Sequence, residues 1–186
     1  LANISMTEVS LMCHPQSDSG GIAAIDVTAT LGQGGEIKLV YRVTGALEAL
    51  KIADPAIPDR ADGLWKNTCF ELFVENFEDK SYLEYNFAPS GQWAAYQFSG
   101  YRVGMAQLEA RAPIVSVAQS VHVLTVSVTL YVPDTAPDVD LWVGISAVVA
   151  TKSGEISYWA LAHPAGSPDF HHKDCFALKL EARSGA

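Results

Sequence analysis

Residues 62–102 read DGLWKNTCFELFVENFEDKSYLEYNFAPSGQWAAYQFSGYR, and the fold turns on how this stretch is read. Three runs within it, Cys69–Glu75, Tyr82–Ala88 and Trp93–Ser99, are rich in aromatic residues, bounded by turn formers and too short for helices. They predict an antiparallel meander of three strands. The first connection carries Glu78, Asp79 and Lys80; the second is Pro89-Ser90-Gly91-Gln92, a tight turn with a glycine where the chain needs positive φ.

Side chains alternate across a strand, so each run has two faces. Phe70, Leu72 and Val74, then Leu83, Tyr85 and Phe87, then Ala94, Tyr96 and Phe98 form one set, which reads as a core face. Cys69, Glu71, Phe73 and Glu75, then Tyr82, Glu84, Asn86 and Ala88, then Trp93, Ala95 and Gln97 form the other. Simple hairpins place Glu75 opposite Tyr82, Phe73 opposite Glu84 and Glu71 opposite Asn86, and then Asn86 opposite Ala95 and Glu84 opposite Gln97. The second set thereby becomes a cluster with Glu71, Glu84, Asn86 and Gln97 at its centre and Phe73, Tyr82 and Trp93 around it. Polar groups on a rigid sheet beside flat apolar rings match a sugar, which presents a hydroxyl rim around an apolar C–H face. The bland alternative is a solvated face with incidental rings, and a slip of one residue in register would scatter the set.

The longer string PDRADGLWKNTCFELFVENFEDKSYLEYNFAPSGQWAAYQFSGYRVGM, together with SYWALAHPAGSPDFHH further on, resembles bacterial DOMON-like proteins related to family 9 carbohydrate-binding modules. The joint pattern DGLW, TCFE, YLEYNFAPSG-W and GYR-GM carries the resemblance, which extends over residues 6–182 as one domain. It implies an all-β, antiparallel, jelly-roll-like β-sandwich and a ligand that is a sugar or, in other DOMON branches, haem. It implies no activity, because one fold hosts many functions. In family 9 modules the ligand sits between aromatic rings and is held by charged and amide side chains; Trp65 and Trp93 are the candidate platforms that this resemblance implies here, and only Trp93 also follows from the face assignment.

With 12 basic and 21 acidic residues the formal charge is −9. No basic run is present, so nucleic acid and anionic membranes are not the expected partners. Half of the residues are hydrophobic (49%), enough for a sizeable core without covalent staples. Cys13, Cys69 and Cys175 are widely spaced in apolar runs and read as buried free thiols. There is no apolar run of membrane length and no leader-like start, so the expected location is cytoplasmic.

The rest of the chain reads as strands at Glu8–His14, Ile22–Leu31, Ile37–Val43, Ile114–Gln119, Val121–Val132, Leu141–Thr151, Glu155–Leu161 and Phe176–Leu180. Many strands joined by Gly, Pro and Asp turns argue for a sandwich. Ala46–Leu50 and Met105–Arg111 are expected to be short helical turns. The segment from Ala53 to Asp62, with two prolines and three aspartates, excludes helix and central strand, and is expected to lie over one edge of the proposed groove.

Glu71 and Glu84 also fit a glycosidase, in which two carboxyl groups flank the scissile bond, but no nucleophile elbow or phosphate loop accompanies them, and the reading leans away from an enzyme. The expected function is non-catalytic binding of a carbohydrate or sugar-like molecule by Trp65, Glu71, Phe73, Glu84, Asn86, Trp93, Gln97 and Arg102. Arg60 and Arg102 flank the meander and offer guanidinium forks to vicinal hydroxyls or a carboxylate. A haem-binding redox protein is the alternative, with Met12, Met105, His14 and His163 as available axial ligands. No cofactor is expected for the sugar reading. Calcium stays open, since carboxylates crowd residues 54–62 and 134–140 and family 9 modules often carry it, and a metal site built from His163, Asp169, His171 and His172 stays open too.

Overall fold

The computed structural model describes residues 6–76, 79–133, 135 and 139–182. Twelve strands follow one another: β1 (Met6–Cys13), β2 (Ile22–Leu31), β3 (Glu36–Gly45), β4 (Cys69–Glu75), β5 (Tyr82–Phe87), β6 (Trp93–Phe98), β7 (Ala106–Gln107), β8 (Ile114–Gln119), β9 (Val123–Tyr131), β10 (Leu141–Ala150), β11 (Ile156–Ala160) and β12 (Leu178–Leu180). Every pairing between these strands is antiparallel among the described residues. Helical structure among the described residues is limited to short 3-10 turns, and no helix is long and apolar enough to cross a membrane.

The strands run in the order β7-β6-β5-β4-β10-β11-β1-β2-β3-β9-β8, with β12 beside the first residues of β10. β1 is the corner. Its residues Met6 to Leu11 pair with β2, while Met12 and Cys13 pair with β11. The ribbon therefore folds into two layers, an all-β sandwich in which a strand switches sheets. Alternation explains the first layer: Ile25, Val27 and Ala29 of β2, Leu39, Tyr41 and Val43 of β3 and Val126, Val128 and Leu130 of β9 point inward, with polar residues between them except at Val40. Across the interface stand Phe70 and Leu72, Tyr85 and Phe87, and Val143, Ile145 and Ala147 in the same core. Tyr41 ties the layers together, its ring 4.9 Å from that of Phe70 and its hydroxyl donating to the Glu71 carbonyl at 2.8 Å.

The meander forms where expected, and its first hairpin has the expected register: Glu75 faces Tyr82, Phe73 faces Glu84 and Glu71 faces Asn86. The second hairpin is one residue off. Asn86 faces Ala94, Glu84 faces Tyr96 and Phe87 faces Trp93. The cause lies in the turn, where Ala88 and Gln92 still pair (2.9 Å) and only Pro89-Ser90-Gly91 forms the loop. Gly91, at φ +91°, supplies the left-handed residue that three-residue hairpins use. Ala94, Tyr96 and Phe98 thus join the face of Glu84, and Trp93 and Ala95 turn into the inter-sheet core.

Residues 59–61 lie along the outer edge of β6. Trp93 N–H donates to the Asp59 carbonyl and Ala61 N–H to the Trp93 carbonyl. Further along, Arg60 donates to the carbonyls of Ala95 and Leu108, bridging the gap before β7. The irregular, proline-bearing segment thereby closes an edge that would otherwise expose unpaired backbone. The segment 105–111 is extended and contributes β7, in place of the expected helical turn. The three thiols are free, with Cys69 and Cys175 buried and Cys13 half-buried.

Candidate functional site

Both faces of β4 and β5 are buried, so the sheet carrying them is covered on its outer side as well. Glu71 and Phe73 of β4, Tyr82, Glu84 and Asn86 of β5, and Tyr96 and Phe98 of β6 share that outer face. Ser146 and Val148 of β10 and Tyr158 of β11 extend it, since they pair opposite Glu71, Cys69 and Val148 respectively. Three segments cover it: residues 62–65, the turn 99–105 and the loop 163–176.

Each cover is pinned by identifiable contacts. Tyr96 donates its hydroxyl proton to Asp62 at 2.6 Å, and Trp65 meets the Tyr96 ring edge-on with centroids 6.0 Å apart. The DGLW motif is thereby fastened to β6. In the loop 163–176, Phe176 stacks on Phe73 (5.8 Å) above Gly144. A Cβ at position 144 would stand 2.8 Å from that ring and 3.1 Å from the Cys175 carbonyl, so only glycine admits this approach. The Cys175 sulfur lies 3.2 Å from the carbonyl oxygens of both Ala162 and Asp169, and burial pushes its pKa up to about 12. It acts as a buried tie within the loop.

His171 of this loop is half-buried against the sheet. Its ring sits among Phe73 (5.2 Å), Phe98 (5.1 Å) and Tyr82 (5.8 Å), and its Nδ1 is 2.8 Å from the Tyr82 hydroxyl. That hydroxyl also accepts from the backbone N–H of Arg102. Nε2 faces Glu84 Oε2 at 3.9 Å. Burial, and then the charge of Arg102, push the imidazole down to about 4, so it is neutral at neutral pH. Arg102 itself has a left-handed backbone (φ +55°) and is bound through its guanidinium to Asp169 at 2.6 Å.

Between cover and sheet lies a cavity of about 390 Å³, within the usual range of roughly 300–1,000 Å³ for small-ligand sites. Glu71, Glu84, Phe98, Val148 and Tyr158 form its floor. Trp65, Arg102, Met105, Pro168, Phe170 and His171 form its walls. Glu71 and Glu84 are only 3% and 5% exposed. Glu71 Oε2 accepts from Ser146 at 3.3 Å and Glu84 Oε1 from Asn86 at 2.7 Å. Burial, and then the neighbouring charge of Glu84, hold the Glu71 carboxyl well above the ordinary range. Burial raises Glu84 too, while the hydrogen bond from Asn86 and the charge of Arg102 pull it back.

Of the residues expected from the sequence, Trp65, Glu71, Glu84 and Arg102 line this cavity. Asn86 lies behind Glu84 as its hydrogen-bond donor, and Phe73 lies beneath His171 and Phe176. Trp93 and Gln97 do not join them. The shifted hairpin register puts both on the opposite face, Trp93 in the core between the sheets and Gln97 exposed. The expected ring platform is therefore taken by Trp65, with Phe98, Tyr158 and Phe170, which the meander alone did not reveal. Tyr158 and Phe170 do fall within SYWALAHPAGSPDFHH, a string whose aromatic content was the available signal.

The loop histidines diverge. His163 Nε2 bonds to the Met12 carbonyl and its ring meets His14 at 4.8 Å, His172 caps Asp174, and Asp169 is engaged by Arg102. Among the described residues no three His, Cys, Asp or Glu side chains are grouped to hold a metal. In the two acidic segments, Asp62 accepts from Tyr96 and Asp140 from Lys179 and Ala182, while Asp134 and Asp138 lie outside the described residues. Of the four side chains available for haem, Met105 alone lines the cavity.

Neither a protein-family model nor a curated protein sequence matches the chain. Solved structures do. A protein from Bacteroides uniformis ATCC 8492, provisionally described as carbohydrate-binding, superimposes with TM-score 0.65 at 12% identity, covering 96% of this chain and 86% of its own. A family 9 carbohydrate-binding module from Caldicellulosiruptor kristjanssonii is similar in two complexes. With cellotriose it gives TM-score 0.59 at 10% identity, covering 97% and 84%; with glucose it gives 0.52 at 9% identity, covering 86% and 78%. At these identities the likeness is one of architecture, and the chain has a fold like that of family 9 carbohydrate-binding modules.

Proposed function

We propose that this protein binds a saccharide, without cleaving it, in the cavity over the outer face of β4, β5, β10 and β11. The observation that carries this reading is the composition of that cavity: buried carboxylates on the floor, with aromatic rings of Trp65, Phe98, Tyr158 and Phe170 around them. Such a space offers hydrogen bonds to hydroxyls and flat apolar surface to a C–H face. The fold it shares with carbohydrate-binding modules supports the same reading. Binding in place of hydrolysis is favoured because Glu71 and Glu84 are diagonal neighbours on adjacent strands, both on the floor of the space. Glycoside cleavage asks for carboxyl groups that flank the bond. No cofactor is required.

Each hydroxyl hydrogen bond exchanges for one to water and nets about 0.5–1.5 kcal/mol, so ring contact must supply much of the affinity. Isothermal titration with glucose, cellotriose and a panel of other neutral saccharides tests the proposal. Trp65→Ala and Glu84→Gln should each weaken the tightest of them by about tenfold, or about 1.4 kcal/mol, with no product released. Undiminished binding by both variants would move the site elsewhere.

A further inference from the structure

The hydrogen-bonding groups at the cavity's carboxyl pair are lopsided. Glu71 and Glu84 present carboxylate oxygens that only Ser146 and Asn86 engage among the described residues, with His171 Nε2 at 3.9 Å from Glu84. The lining residues with donors are Trp65, Arg102, Tyr158 and His171, set around the carboxyl pair, and the guanidinium of Arg102 is bound to Asp169 at 2.6 Å. A sugar hydroxyl donates and accepts, and so asks for both kinds of partner. An ammonium has three donors and no acceptor.

Charge points the same way. The two carboxyl groups are buried together, and Arg102, the cation among the described residues that line the cavity, is paired with Asp169. A buried charge without a partner is costly, and an entering cation would relieve it. The aromatic walls attract a cation through their ring quadrupoles, and a formal charge of −9 draws cations toward the protein. A sugar acid would bring a further carboxylate to a floor that already holds two.

We propose that the occupant of this cavity carries a primary ammonium group seated between Glu71 and Glu84, so that the ligand class is an amino sugar with a free amine. The sugar part rests on the saccharide reading above; the ammonium part does not. The raised titration of Glu71, caused by burial and by the Glu84 charge, agrees with a pair built to receive a cation.

The test uses matched compounds on the whole protein, at about pH 6.5 where a free amine is protonated. Calorimetry compares glucose, glucosamine and N-acetylglucosamine, and separately cyclohexanol and cyclohexylamine. Glucosamine should bind at least about tenfold tighter than either of the other two sugars, and cyclohexylamine tighter than cyclohexanol. Glu84→Gln and Glu71→Gln should each bring these ratios toward one; two variants guard against either failing to fold. Sugars that bind without preference for the amine would overturn the ammonium and leave the saccharide reading standing. Preference confined to the cyclohexyl pair, with no sugar bound, would keep the ammonium and overturn the saccharide reading. A preference that survives both substitutions overturns the assignment to Glu71 and Glu84, and no binding by any of the five compounds overturns both proposals.

Discussion

The two faces of β4 and β5 are equally buried and chemically opposite. Inward, Phe70, Leu72, Tyr85 and Phe87 meet the aliphatic rows of β2, β3 and β9. Outward, the same strands bury Glu71, Glu84 and Asn86 beside Phe73 and Tyr82. The inner cover is a sheet that fills its space with side chains. The outer cover is a set of loops that leaves about 390 Å³ open. Burial alone therefore does not mark the core. Where a buried face holds carboxyl groups at a cost to folding, the cost points to function.

Substitutions on the two faces should differ in kind. The largest expected effect is on the inner face: Phe70→Ala removes a fully buried ring from between the sheets and should cost about 3–5 kcal/mol in chemical denaturation.

Next comes the pH dependence of the outer face. His171 has a native pKa of about 4 against 6.5 unperturbed, so between those values the unfolded chain binds the extra proton. Its contribution to stability therefore rises with pH across about 4 to 6.5, by about 2–4 kcal/mol in all. His171→Phe should flatten that limb in melts taken across the window.

Glu71 has the opposite sign. Its native pKa is raised, so the folded state holds the proton longer, and this stability is lost as pH climbs above about 4.5. Glu71→Gln should then stabilise the protein at neutral pH by about 0.5–2 kcal/mol, the usual gain when one cost at a functional site is relieved, with no such gain near pH 4. A loss of stability at neutral pH would show that the carboxylate is satisfied and that the two faces do not differ as described.

The smallest effect is expected at the rim. Arg102 is half exposed, and its bridge to Asp169 should contribute no more than about 1 kcal/mol, read as the change in midpoint for Arg102→Ala.

The sequence carried the strands of the meander and the first hairpin, because aromatic runs and turn residues are local signals. It did not carry the second register. Trp93 and Ala95 on one side of β6 are as apolar as Ala94, Tyr96 and Phe98 on the other, with Gln97 the single polar residue among them, so alternation has little to choose between. The choice fell to a three-residue loop at Gly91. Trp65, Glu71, Glu84 and Arg102 were legible as candidates because they lie within one stretch of chain. Tyr158, Phe170 and His171 reach the cavity only through the pairing of β10 with β11 and the fold-back of the loop after it, contacts distant in sequence that no local pattern encodes.

The central claim, that ligand binds over the outer face and not between the sheets, has four built-in reporters, the indole N–H groups of Trp65, Trp93, Trp142 and Trp159. Trp65 lines the cavity, while Trp93 and Trp159 are in the inter-sheet core. In a nitrogen–proton correlation spectrum recorded during titration with cellotriose and then glucosamine, the Trp65 indole signal should shift progressively and those of Trp93 and Trp159 should stay in place. A titration that moves Trp93 and leaves Trp65 still, or that reaches saturation by calorimetry with the Trp65 signal unmoved, would contradict the account.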